Sequence, residues 1–291
     1  MPNQIQVKSI LNKHKKRDSW FLDDYSINPY EACSFNCIYC YIRGSKYGEN
    51  MAKTLSVKIN APELLEKQLS RRAKRGEYGI IALASATERY MPIEEKTKLT
   101  RKLLNIILNY RFPVNIGTKS PLVLRDLDIL KEIDAKAILP EDLKPKLKHG
   151  TIISFSFSTL EEKLAKIFEP GAPPPKERLE TMKKCKEQGF LAGANYIPVL
   201  PFLSDSDEQL DEMIQTAKDY GADFTLVGSL TLFGEGKRLY YKVFEKRFPE
   251  LVPKYKSLFR AFFAPSKEYQ RALGEKSTDL CRRHRIKNSI V

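Results

Sequence analysis

The sequence predicts an α/β fold: a partial, TIM-like (β/α)6 barrel followed by a helical C-terminal extension. Three observations predict it. Six β-type segments alternate with helical ones along most of the chain, and repeated βα units imply a parallel sheet with right-handed crossovers. Residues 79–84 (GIIALA) form an unbroken apolar run, as expected of a strand buried on both faces. Leu99, Leu103, Ile106, Ile107 and Tyr110 recur at helical spacing, one stripe of an amphipathic helix packed on a sheet.

In order, residues 20–27 (WFLDDYSI) are β-type and read as the first barrel strand. Asn28-Pro29-Tyr30 follows as a turn, because proline fixes φ and disfavours helix at the residue before it. Residues 54–59 suit a short strand. A helix opens at Ala61-Pro62, with proline tolerated in the first turn and Leu65 and Leu69 on one face. Residues 79–84 are the second strand and 99–110 its helix. Residues 113–117 are the third strand, with a helix near 123–133. Residues 134–150 carry two prolines and four lysines and read as an inserted surface loop. The fourth strand, 152–157, leads to a short helix at 160–168. A rigid proline turn precedes the helix 177–188, which Gly189 ends as a C′ residue. Strand 191–197, helix 207–220 and strand 224–227 complete six alternations. Leu210, Met213, Ile214 and Ala217 give the last helix its buried stripe. Six rather than eight units leave the barrel open.

Composition supports a folded body: 42% of the 291 residues are hydrophobic, and no apolar run reaches 18 residues. The absence of an apolar block near the start, together with free cysteines, points to a reducing cytoplasm. The net charge of +14 is uneven. Residues 1–17 carry five basic and no acidic residues, and 236–291 carry 15 Lys/Arg against five Asp/Glu. The intervening 18–235 is almost neutral. We therefore divide the chain into a basic N-terminal arm (1–17), a barrel (18–235) and a basic, aromatic helical extension (236–291). Basic ends favour a polyanion, since each neutralised phosphate releases counterions. A charge-rich stabilising surface and docking to an acidic electron donor are the competing readings. Most tail aromatics are expected to be core.

Three of the five cysteines, Cys33, Cys37 and Cys40, lie within eight residues as C-x3-C-x2-C. Zinc asks for four N/S ligands, usually as two pairs. None of His14, His149 and His284 brings a second pair, and Cys185 and Cys281 stand alone on predicted helices as packed thiols. Three thiolates on one loop suit three corners of an iron–sulfur cluster and leave the fourth open. The loop follows the first strand, at the carboxyl end of the sheet where parallel α/β folds bind ligands.

With Asn28-Pro29-Tyr30, Cys37-Ile38-Tyr39-Cys40-Tyr41, Thr118-Lys119, Phe155-Ser156-Phe157, Glu169-Pro170-Gly171 and Glu177-Arg178-Leu179 in order, the chain resembles the spore photoproduct lyase-like branch of the radical S-adenosylmethionine (SAM) superfamily. Its members are often called DNA repair photolyases. The resemblance runs from about residue 20 to 197, and more loosely to the end. It implies that Cys33, Cys37 and Cys40 hold a [4Fe–4S] cluster whose fourth iron chelates SAM. It implies that Tyr39 packs beside the adenine, that Ser85 and Thr87 lie near the cofactor amine, and that Lys119 and Ser156 contact the cofactor. Arg178 is the candidate for its carboxylate, and Tyr41 for relaying hydrogen. The activity implied is reductive cleavage of SAM to a 5′-deoxyadenosyl radical that abstracts hydrogen from a substrate. The electron donor would be a ferredoxin or flavodoxin, and the substrate DNA or RNA. One departure matters: Ala84 stands where the lyase of that branch carries its hydrogen-donating cysteine, so a different substrate is expected. Glu88-Arg89, where relatives carry Asp-Pro, also changes the pocket. The alternatives are the same chemistry on a peptide or small metabolite, or a non-enzymatic Fe–S protein that binds nucleic acid.

Overall fold

The structure is a computed structural model that describes residues 2–44, 55–83, 86–260 and 263–291. Its strands are β1 (Asn3–Ile5), β2 (Leu11–Lys13), β3 (Tyr25–Ile27), β4 (Tyr30–Glu31), β5 (Ser56–Lys58), β6 (Ile81–Leu83), β7 (Val114–Thr118), β8 (Thr151–Phe157), β9 (Leu191–Val199) and β10 (Phe224–Ser229). Its α-helices are α1 (Ala61–Lys74), α2 (Glu94–Thr97), α3 (Leu99–Asn109), α4 (Leu127–Lys136), α5 (Glu162–Phe168), α6 (Pro175–Glu187), α7 (Asp207–Asp219), α8 (Gly234–Arg247), α9 (Val252–Leu258) and α10 (Lys267–Arg283).

The main sheet runs β2-β3-β6-β7-β8-β9-β10. From β3 to β10 every neighbouring pair is parallel, and each expected barrel strand takes its place in sequence order. β2 adds an antiparallel edge beside β3. The sheet is thus an open (β/α)6 arrangement. A small second sheet, β1-β5-β4, lies beside the cysteine loop and includes the short strand expected near 54–59. No helix among the described residues is long and apolar enough to cross a membrane.

The two faces of the sheet explain why a cavity exists. One face carries Tyr25, Ile81, Val114, Ile116, Ile153, Phe155, Ala194 and Tyr196, which pack against the helices in a single buried cluster. The alternate residues are small or polar: Ser26, Ala82, Asn115, Gly117, Ser154, Ser156, Gly193 and Asn195. Period-two alternation sends this second set into the barrel. They are too small to fill it.

The lower end of the barrel is closed by apolar side chains. Ile80, Ile152, Phe224 and Leu226 cluster with Leu143, Leu147 and Ile290. Residues 134–150 are therefore not simply a surface loop, because Leu143 and Leu147 are its buried plug. Gly193 accommodates this plug: a Cβ there would come within 2.6 Å of the Phe224 ring.

The first barrel strand is shorter than its sequence suggests. Asp18 caps a turn, its Oδ1 accepting from the Trp20 and Phe21 amides at 2.8 Å, and the strand begins only at Tyr25. Side chain-to-backbone bonding of this kind outcompetes β propensity locally. The turn carries the Phe21 carbonyl into the barrel, where Asn115 Nδ2 donates to it at 2.7 Å. The basic N-terminal residues supply β1 and β2 and so sit within both sheets.

Of the tail aromatics, Tyr240, Phe244, Tyr255 and Phe259 are buried. Phe244 and Tyr255 are 4.1 Å apart between centroids. They cluster with Phe35, Ile38 and Tyr39 of the cysteine loop and with Phe168. Phe263 is exposed, and Phe262 lies outside the described residues. α10 packs on β10 and α7. There Cys281 is buried with its Sγ 3.1 Å from Thr225 Oγ1, and Cys185 is buried in α6.

Candidate active site

The cysteine loop is held from both sides by buried charge. At its start, the Tyr30 hydroxyl donates to the fully buried carboxylate of Glu94. Arg125 holds the other oxygen of Glu94 at 2.9 Å. Further along, the Tyr39 hydroxyl donates to Glu169, which also accepts from Ser158 Oγ at 3.0 Å. Arg178 pairs with Glu169 and donates to the Pro173 and Ser156 carbonyls at 2.8 and 2.9 Å. Glu169 and Arg178 are 2% and 1% exposed. Burial opposes the Glu169 charge, yet Arg178 and Lys119 hold its carboxyl below the usual range. Burial and the Glu169 carboxylate push the Tyr39 phenol well up, so Tyr39 remains a donor.

Close backbone contacts fix the rest of the loop. The Ile38 amide donates to the Phe168 carbonyl at 2.8 Å, and the Gly171 amide to the Phe35 carbonyl at 3.0 Å. A Cβ at Gly171 would collide with the Ser34 carbonyl oxygen and sit 2.9 Å from Phe35 Cα, so only glycine fits. Ala32 and Asn36, each preceding a cysteine, have φ of +65° and +52°. For alanine this left-handed conformation costs about 1 kcal/mol. Strain of this kind persists where the surrounding structure over-determines it, which is common at functional loops.

All three cysteines face one cavity of about 720 Å³, within the range of small-molecule sites. The same cavity is lined by Tyr39, Tyr41, Thr87, Lys119 and Ser156. The structure therefore brings together every described residue the sequence nominated, except one. Tyr41 is 54% exposed at the rim. Thr87 is buried, with its Oγ1 3.4 Å from the Tyr30 carbonyl. Lys119 is an electrostatic neighbour of Cys37, Cys40 and Glu169. Ser85 and Ala84 lie outside the described residues. Arg178 is the exception: it does not line the cavity, and its guanidinium is committed to Glu169 and two carbonyls.

The donor set fits an iron–sulfur cluster. The three cysteines are free. Among the described residues no three His, Cys, Asp or Glu side chains converge closely enough to hold a single metal ion. Three soft thiol donors on one loop, lining one cavity, suit a group of several irons. Burial pushes the Cys37 thiol up to about 12 and raises Cys33 and Cys40, so loading the site must release protons.

The structure adds three contributors to the residues nominated above, of which the sequence had marked only Glu88, as a residue that changes the pocket. Asn195, on β9, is 3% exposed and lines the cavity. Its Nδ2 donates to Ser154 Oγ at 2.7 Å, while its Oδ1 has no hydrogen-bond partner among the described residues. An orphaned buried acceptor is a place for a ligand donor. The signal was available, as the one strongly polar residue in the inward register of an apolar strand. Glu88 holds the floor near Lys119, accepting from Thr118 Oγ1 at 2.8 Å and from the Lys119 amide at 3.0 Å.

The third is a pair at the opposite end of the cavity, His14 and Asp23. His14 Nδ1 lies 3.0 Å from Asp23 Oδ2, and Nε2 lies 3.1 Å from Ser26 Oγ. Burial raises the Asp23 carboxyl to about 6 from its ordinary 3.8. Between these values the folded chain holds a proton that the unfolded chain has lost. This contribution to stability is therefore full below about pH 4 and disappears as pH rises through 6. Asp23→Asn is expected to gain Tm relative to the wild type on going from pH 4 to pH 7. A thermal melt series checks this, and a constant difference would contradict it.

Residues 27–217 match the family model of the Radical SAM superfamily. An uncharacterized protein of Mycobacterium tuberculosis is 28% identical over 292 residues, covering 98% of this chain and 81% of its own. One of Methanocaldococcus jannaschii is 31% identical over 191 residues, 65% of each chain. Among solved structures, a spore photoproduct lyase variant with bound AdoMet and dinucleoside spore photoproduct aligns with a TM-score of 0.66 at 18% identity. That alignment covers 92% of this chain and 76% of the other. SuiB of Streptococcus suis bound to precursor peptide SuiA aligns at 0.53 and 17% identity, over 92% and 47%. At these identities the structural matches speak for the fold. The family match takes in the cysteine loop, β6 to β9 and most of the residues that line the cavity, and the chain belongs to the radical SAM superfamily.

Proposed function

We propose that this radical SAM enzyme acts on nucleic acid, presented to the cavity from the side lined by the N-terminal segment. When bound at the three cysteines, the [4Fe–4S] cluster and SAM supply one-electron cleavage of the sulfonium and abstraction of hydrogen from the substrate. The chain's own residues do the rest. Cys33, Cys37 and Cys40 hold the irons, and Lys119 offsets the negative charge that accumulates beside Cys37 and Cys40. Asn195 and Ser156 offer hydrogen bonds from the barrel wall. The apolar plug beneath and the aromatic cluster beside the loop keep water from the reacting atoms. Tyr41, at the rim, is placed to pass hydrogen between cavity and substrate.

The observation that carries the substrate reading is the far wall of the cavity. His14, Lys16 and Arg17 line the space that the cysteines share, and Trp20 stands 45% exposed in the same segment. Lys16 beside an exposed indole suits a phosphate backbone and a stacked base, with Arg17 held nearby by Asp24 and Asp142. The similarity in fold to a lyase solved with a dinucleoside photoproduct supports the same class. Removing the tail would be a poor test, because its aromatics are core. Instead, Lys13, Lys15 and Lys16, all exposed, are exchanged together for glutamine. The slope of log affinity for a single-stranded oligonucleotide against log salt is expected to fall by about 2. An unchanged slope, or no binding by the wild type at low salt, overturns the reading. A peptide that binds the cavity in the oligonucleotide's place would then be favoured.

A further inference from the structure

A second large concavity lies on the other side of the cysteine loop. It is a groove of about 930 Å³ between α5, the proline turn at 173–174 and α8. Among the described residues, none lines both this groove and the cavity of the cysteines. Its floor is apolar, with Ala165, Ile167, Ala172, Leu239 and Val243. Its rim carries Lys163, Lys166, Lys242, Lys246 and Arg247 against one exposed acid, Glu162. Among the described residues, none of the five cations forms an ion pair within the chain. An apolar centre with a one-signed charged rim is the anatomy of a protein-docking site.

Residues beside the groove touch the cysteine loop directly. Behind the groove's apolar floor lie the buried side chains of Glu169 and Arg178. Glu169 accepts from Tyr39, which lies between Cys37 and Cys40. The end of α5 is joined to the loop through the Phe168 carbonyl and the Ile38 amide. We propose that this groove docks an acidic one-electron carrier protein, bearing a flavin or iron–sulfur centre, which reduces the cluster from behind. One electron leaves the reduced carrier and enters the oxidised cluster; no bond is made or broken and no proton moves. Substrate and reductant then occupy opposite sides of the loop, and neither displaces the other. A nucleic acid is less suited to this groove, since its phosphates would face an apolar floor. The inference rests on the cluster reading above.

The test follows bleaching of the cluster's visible absorption in the reconstituted full-length protein, without SAM, using reduced flavodoxin or dithionite. Lys163→Glu/Lys166→Glu and Lys242→Glu/Lys246→Glu are compared with wild type, singly and combined. With flavodoxin the second-order rate is expected to fall roughly 10- to 1000-fold in the combined variant, as lost electrostatic steering does, and its salt dependence to flatten. Dithionite reduction is expected to stay at the wild-type rate. An unchanged flavodoxin rate overturns the proposal, and so does an equal loss with dithionite. Loss of oligonucleotide binding with flavodoxin reduction intact overturns it too, by assigning the groove to nucleic acid. Because bleaching needs no SAM cleavage, a protein that accepts electrons normally yet forms no deoxyadenosine would refute the proposed function alone.

Discussion

Serine at Cys37 is expected to leave the purified, reconstituted protein without a [4Fe–4S] cluster and to reduce deoxyadenosine formation to background. Cys37 is the most enclosed of the three thiols and packs with Phe35, Ile38 and Tyr39 against the tail aromatics. Removing its soft donor leaves two thiolates, and a hard hydroxyl is a poor substitute. Iron and sulfide determination and the visible spectrum check the first outcome, and chromatography of the product checks the second. Cys281→Ala is the control. That thiol lies against Thr225, away from the cavity, so its loss is expected to leave iron content unchanged. Four irons retained in Cys37→Ser would contradict the ligand assignment.

The second large effect is structural. Arg178→Met is expected to destabilise the fold by about 3–5 kcal/mol, the usual cost of stranding a buried partner charge, seen as a Tm drop on the order of 10 °C. Glu169 would lose its ion-pair partner and keep only the charge of Lys119 nearby, and the Ser156 and Pro173 carbonyls would lose their donors. Adding Glu169→Gln to Arg178→Met is expected to recover part of the loss, because the buried charge goes too. Arg178→Lys is not expected to restore it, since one ammonium cannot reach three acceptors in the geometry of the guanidinium fork. Differential scanning calorimetry decides. An unchanged Tm with SAM affinity weakened at least tenfold would return Arg178 to the cofactor carboxylate that the sequence suggested for it.

This contrast marks what could be read from the chain alone. The barrel was legible because each strand and helix carries its own period, and those signals are local. The cysteine triplet was legible because its spacing is a ligand count. The pairing of Arg178 with Glu169 was not legible, because it depends on how α6 docks against the loop before it, which no periodicity records. The Tyr39–Glu169 bond spans 130 residues, and nothing near either residue announces the other. Asp18 shows a different failure, where one side chain capped a turn and shortened a strand that β propensity extended. Residues 134–150 show another. Lysines and prolines mark a loop, but two leucines at 143 and 147 turn that loop inward, where they close the lower end of the barrel with Ile80, Ile152 and Phe224. Lys16 and Arg17 were seen as part of a charge count; the antiparallel return of β2 along β3 is what brings them to the cavity.

Three cysteines facing one cavity would make a centre that cleaves SAM. The most direct measurement is anaerobic incubation of the reconstituted wild-type protein with SAM and dithionite, with products quantified over time. The account predicts 5′-deoxyadenosine and methionine in equal amounts, dependent on reductant. A protein carrying its full complement of iron and sulfide that forms neither product would contradict it.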